Sequence, residues 1–171
     1  MEKIFLLMTC LVFVFGDLPT QSSIKCNYEL RDKRNSSEFI EYATYKCEVI
    51  NNPRINNKES AKISIINRIP DNLNATYDNV ITFDALNKII VHIPQDLGKH
   101  FKNIENIYIQ SCHLKELDKT DLKQFQNLRI LSLKYNDIEV IEDGLFDFNS
   151  KLEIAYILEQ NSNKKKIPAY F

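Results

Sequence analysis

The residues whose types could support metal or nucleophilic chemistry are few. They are Cys10, Cys26, Cys47 and Cys112, His92, His100 and His113, and the carboxylate cluster Glu139, Glu142 and Asp143. No pair of histidines has the H-E-x-x-H spacing, and no Cys or His pair has the spacing of a zinc site. Cys112 and His113 are a thiol and an imidazole side by side. Neighbours on an extended chain point to opposite faces, so they form a poor nucleophile and base. The carboxylate cluster offers too few oxygens for calcium and reads as a solvated turn. The chain has only 3 Gly, and neither a P-loop nor a G-x-S-x-G elbow is present. No enzyme, no metal site and no cofactor is expected.

The charge balance narrows the partners. Lys plus Arg total 22 and Asp plus Glu 23, a net charge of −1. That gives no basic footprint for nucleic acid. The run Lys164-Lys165-Lys166 is short and reads as solvated. Hydrophobic residues make up 44 %, enough for a packed core.

Residues 1–16 carry Lys3 and then a run from Ile4 to Phe15 that is apolar apart from Thr9. A membrane helix needs about 20 apolar residues. The shorter run has the length of a signal-peptide core, with cleavage expected after Gly16. The expectation is a secreted, extracellular protein that has no membrane span and loses Cys10 with its leader. Asn35-Ser36-Ser37 and Asn74-Ala75-Thr76 are glycosylation sequons, placing candidate glycans on Asn35 and Asn74.

The elements follow from the patterning. Residues 24–30 and 42–50 alternate apolar and polar side chains, with Tyr and Val among them, and predict two strands around a charged loop. Pairing them brings Cys26 and Cys47 together. A disulfide is expected there, with Cys112 left over. Residues 51–60, rich in Asn and holding Pro53, read as a linker, and 62–67 alternate again as a strand.

From Val80 the chain repeats. Ile104, Ile107, Ile109, Cys112, Leu114, Leu117 and Leu122 are matched by Leu128, Leu131, Leu133, Asn136, Ile138, Ile141 and Phe146, each 24 residues later. One frame earlier Val80, Phe83, Ala85, Ile90 and Ile93 sit on the same grid, with Lys88 at the polar position. One frame later Leu152, Ala155 and Ile157 fit, and the register then fails. Single helical turns are predicted at 95–101 and 120–125.

This pattern resembles L-x-x-L-x-L-x-x-N/C-x-L, the leucine-rich repeat of extracellular proteins, over about residues 80–160. It is similar in style to short secreted insect proteins of that family. The resemblance implies an α/β, β-rich solenoid with short parallel strands on its concave face. Its cap would be a disulfide-stapled N-terminal β-hairpin. The expected organisation is a signal peptide 1–16, an N-terminal cap 17–79, repeats 80–160 and a tail 161–171. Asn136 should bond turn backbone, and Cys112 should act as a small buried filler in the same place.

Side chains flanking the two middle leucines should point outward. The candidate binding residues are therefore Asn106, Tyr108, Gln110, Ile130, Ser132, Lys134, Ile154, Tyr156 and Leu158, with Thr82, Asp84 and Leu86 heading the same columns. Tyr beside aliphatic groups is the composition of protein-binding hot spots. The expected function is binding an extracellular or cell-surface protein, in immune recognition or cell-surface signalling. Two readings stay beside it. One is a truncated relative or fragment of a larger repeat receptor. The other is a self-assembling extracellular structural protein that forms homo-oligomers through its C-terminal end.

Overall fold

The computed structural model describes residues 22–31, 44–56, 63–65, 68–71 and 75–157. The apolar leader, Asn35, Asn74 and Leu158 lie outside the described residues. The described chain is β-rich. Its strands are β1 (Ser22–Ile24), β2 (Cys26–Arg31), β3 (Thr44–Val49), β4 (Ile63–Ile65), β5 (Val80–Leu86), β6 (Asn106–Gln110), β7 (Glu116–Leu117), β8 (Ile130–Ser132), β9 (Val140–Ile141) and β10 (Ile154–Tyr156). Two short helices, α1 (Leu97–His100) and α2 (Lys119–Lys123), fall inside the two predicted helical turns or within a residue of them.

The principal sheet is mixed and mostly parallel, in the order β10-β8-β6-β5-β3-β2. Only β2 and β3 pair antiparallel. From β5 onward each strand pairs with the one 24 residues later: Phe83 with Ile107, Ile107 with Leu131, Ala155 with Leu131. Period-two alternation sends Phe83, Ala85, Ile107, Ile109, Leu131 and Leu133 to one side, where all are fully buried. Burying a side chain of the size of Leu, Ile or Phe contributes roughly 1.5–3 kcal/mol. The repetition of these columns therefore supplies much of the stability.

The turns after β5, β6 and β8 are built alike. Asn87, Ser111 and Tyr135, spaced by 24, all have positive φ, at 55°, 53° and 60°. This left-handed residue swings its N–H back toward the sheet. Asn87 N donates to Gln110 O (3.1 Å) and Ser111 N to Lys134 O (3.2 Å).

Asn136 closes the next bend. Its Oδ1 accepts from Cys112 N (2.9 Å) and Leu114 N (3.2 Å), and its Nδ2 donates to Ile109 O (2.6 Å) and Leu133 O (3.0 Å). One amide thus ties two successive repeats. Cys112 is a free, buried thiol whose Sγ lies 3.1 Å from Gln110 O and 3.4 Å from Ala85 O. Burial is the main cause holding its pKa above the usual thiol value, against backbone hydrogen bonds that pull it down.

A second, narrower ladder runs on another side. Val91 N donates to Ile55 O, Lys115 N to Val91 O and Glu139 N to Lys115 O. Beside it, β7 and β9 pair in parallel. The composition of 51–60 predicts a linker, but Pro53 and Ile55 are buried and Ile55 bridges Ile90. Two asparagines are the reason. Asn52 Oδ1 accepts from Ile89 N at 3.0 Å, while Asn51 is spent on the strands before it. Polar composition here serves backbone pairing rather than solvation.

The single predicted strand over 24–30 is two strands. Asn51 Oδ1 takes the Lys25 N–H (2.8 Å) and its Nδ2 binds Ser23 O (2.9 Å), while Lys25 O still accepts from Ile50 N (2.9 Å), so a side chain takes over one half of the pairing at Lys25. β1 then leaves the hairpin and pairs in parallel with β4. The hairpin itself is stapled as expected: Cys26 and Cys47 are disulfide-bonded across β2 and β3, with Cα atoms 5.0 Å apart. Tyr45, Cys47 and Val49 face the core and β3 pairs in parallel with β5, so the hairpin covers the first edge of the parallel run. Tyr28, Tyr77 and Phe101 extend that cover, with ring centroids 6.4 and 5.7 Å apart in succession.

Candidate binding face

The side of the principal sheet turned away from the core carries the expected binding columns in register. One row across the strands is Thr82, Asn106, Ile130 and Ile154. The next is Glu48, Asp84, Tyr108, Ser132 and Tyr156. Leu86 pairs with Gln110 in the third row, and Lys134 stands in the turn just after β8.

Exposure divides these residues. Ile154 is 39 % exposed, Tyr156 42 % and Leu86 53 %, while Asn106, Tyr108, Gln110, Ile130 and Lys134 are partly buried. Thr82 and Ser132 are buried. Thr82 Oγ1 accepts from Asn106 Nδ2 (3.1 Å) and Ser132 Oγ from Gln110 Nε2 (2.8 Å). A ligand would therefore meet the amides of Asn106 and Gln110 rather than the hydroxyls beneath. Lys134 Nζ sits 4.2 Å from the centroid of the Tyr156 ring, a cation–π contact that holds the ring's position. A shallow depression of about 270 Å³ runs between Thr44, Thr82, Asn106, Tyr108 and Ile130.

Two charged arrangements flank this surface, and sequence reasoning missed both. At the N-terminal ends of the parallel strands, Arg129 lies between Glu105 (3.8 Å) and Glu153 (2.7 Å). The three residues are 24 apart, so opposite charges at the repeat offset were the available signal. At the hairpin end, Lys46 meets Glu29 (3.1 Å), Glu48 (3.1 Å) and Asp84 (3.6 Å). Burial pulls the Lys46 pKa down, but its hydrogen bonds to Glu29 and Glu48 and the charges of Glu48 and Asp84 outweigh that and leave it raised. No pattern of spacing brings together Glu29, Lys46 and Asp84, because a hairpin and a crossover separate them.

The candidate chemical groups are kept apart. Cys112 is fully buried, whereas the exposed His113 places Nδ1 3.0 Å from Asp137 Oδ2. Glu142 reaches the first residue of α2, whose N-cap is Asp118. Glu142 accepts from Lys119 N (3.0 Å), and that bond is the main cause of its lowered pKa. Among the described residues no group of His, Cys, Asp or Glu could hold a metal ion, and no helix is long and apolar enough to cross a membrane.

No family model matches the chain, and no curated protein matches it.

Proposed function

We propose that this chain is a leucine-rich-repeat solenoid, secreted and acting as a protein-binding module through the outward face of its principal sheet. The observation that carries the binding role is that Tyr156 and Ile154 are exposed beside the partly buried Tyr108 and Ile130 on one side of the sheet. Large apolar groups presented together on a sheet mark interaction surfaces. The repeat reading is supported by the 24-residue strand register and by the four backbone bonds of Asn136. The Cys26–Cys47 disulfide is compatible with an extracellular location. The proposal assigns the chain no catalytic step.

The test is affinity capture with the chain made through a secretory pathway, using cell-surface extract and extracellular fluid as prey. A Tyr108→Ala/Tyr156→Ala variant runs beside it. The expected result is a partner whose affinity falls at least about tenfold in the variant, the loss of about 1.4 kcal/mol that a modest hot spot carries. Equal capture by both chains would remove this face from the reading.

One observation favours self-association as a second reading. β10 is the last strand of the sheet order, and it exposes Ile154 and Tyr156. A strand at a sheet edge invites pairing with another chain. Sedimentation across a concentration range separates a monomeric binder from an assembling one.

A further inference from the structure

The cations bordering the face are held in different ways. Lys46 meets three carboxylates, and Arg129 lies between two. Lys134 makes no ion pair with any of the described residues; its ammonium rests over the Tyr156 ring, 4.2 Å from the centroid. A ring attracts a cation without neutralising it. The positive charge of Lys134 is therefore fixed in place and still available. The nearby acids are committed elsewhere: Asp137 to His113 Nδ1 at 3.0 Å, and Asp84 to Lys46. A carboxylate arriving at Lys134 gains a charge-assisted hydrogen bond and has no existing ion pair to break.

The next residue is Tyr135, 55 % exposed and with φ at 60°. Left-handed backbone crowds the Cβ of every residue but glycine, and asparagine is among those that tolerate it best. The equivalent bends, 48 and 24 residues earlier, hold Asn87 and Ser111. A tyrosine is the costlier choice, and a ring this exposed offsets little of the strain by packing within its own chain. Such an outlier points to a contact made outside the chain. Leu86, which ends β5 in the row that continues through Gln110, is 53 % exposed at the same ends of the strands.

We propose that the C-terminal ends of the parallel strands anchor the partner, with Lys134 taking a carboxylate of a partner protein and Tyr135 packing on an apolar side chain beside it. Tyr156 holds the ammonium in position. The inference rests on the outward face being the binding surface, and it names the chemistry of what binds there: an acidic residue next to an aromatic or aliphatic one.

The test selects a random-peptide library, displayed on phage, against the full chain made through a secretory pathway. Enriched peptides should carry Asp or Glu beside Phe, Tyr or Leu. A synthetic copy of one such peptide should lose about tenfold in affinity when its carboxylate is made an amide, and about tenfold against Lys134→Gln. The amide peptide against Lys134→Gln should lose little more, because both changes remove the same contact. Tyr135→Asn should bind the peptide more weakly while its urea midpoint rises, since asparagine relaxes the bend. Enrichment of basic or uncharged peptides, or of none, overturns the proposal. So do losses that simply add, or a Tyr135→Asn chain that binds as the parent does. If uncharged apolar peptides are enriched and still depend on Tyr108 and Tyr156, only this inference falls. If acidic peptides depend on Lys134 and Tyr135 while partner capture ignores Tyr108→Ala/Tyr156→Ala, the role given to the central row falls by itself.

Discussion

Removing the Asn136 side chain should unfold a large part of the molecule's stability margin. The amide is buried and makes four hydrogen bonds, to Cys112 N, Leu114 N, Ile109 O and Leu133 O. Alanine leaves all four backbone groups without that partner. A hydrogen bond contributes about 1 kcal/mol net, so Asn136→Ala should cost about 4 kcal/mol. Domains of this kind have roughly 5–15 kcal/mol in total. Cysteine is the informative comparison, because Cys112 occupies the equivalent place one repeat earlier with its thiol near two carbonyl oxygens. Asn136→Cys restores one weak donor but no acceptor for the two N–H groups, and should cost about 3 kcal/mol, somewhat less than alanine. The assay is urea unfolding followed by far-ultraviolet circular dichroism, with the slope m compared among the three chains. A loss below about 1 kcal/mol for alanine at unchanged m would refute the claim that this side chain ties adjacent repeats.

Two further outcomes follow from the hairpin. The disulfide closes a loop with a sequence separation of 21, so Cys26→Ala/Cys47→Ala should lose about 3 kcal/mol. Hydrogen exchange should rise first in β2 and β3, and uniform loosening of the whole sheet would contradict that local role. For Lys46 the sign runs with its raised pKa: its stabilising contribution is full below the ordinary value of 10.5 and is lost as pH climbs through the raised folded value. Lys46→Met leaves Glu29, Glu48 and Asp84 facing one another, so its melting temperature should fall furthest below the parent's at neutral pH. The gap should close as pH climbs through the raised Lys46 value, where the parent loses the same charge. A gap independent of pH would show that packing, not charge, is what the lysine supplies.

The parallel part of the fold was legible because a repeat states its own register. Ile107 over Leu131 in sequence is Ile107 beside Leu131 in the sheet. The hairpin was legible from alternation and two cysteines. What escaped were places where a side chain does backbone work. Asn51 splits one strand into two, and Asn52 draws an apparent linker into the core; both look like solvated residues in a polar stretch. The outward columns were placed by alternation alone, which gives direction but not cover. It could not tell that Gln110 would lie over Ser132. The cluster around Lys46 was out of reach because its members come from three strands, joined by connections of different lengths.

The constant spacing of 24 also bears on how the chain finds its structure. In the principal sheet β5, β6, β8 and β10 pair in succession at the same 24-residue offset, so every closure in that run forms a loop of the same length and incurs the same entropy. Within that run no strand must wait for a distant one. The barrier belongs to the first pair that closes, and growth can proceed from it in either direction. The Cys26–Cys47 hairpin then closes one end of that run, since β3 pairs with β2 on one side and takes its parallel partner β5 on the other.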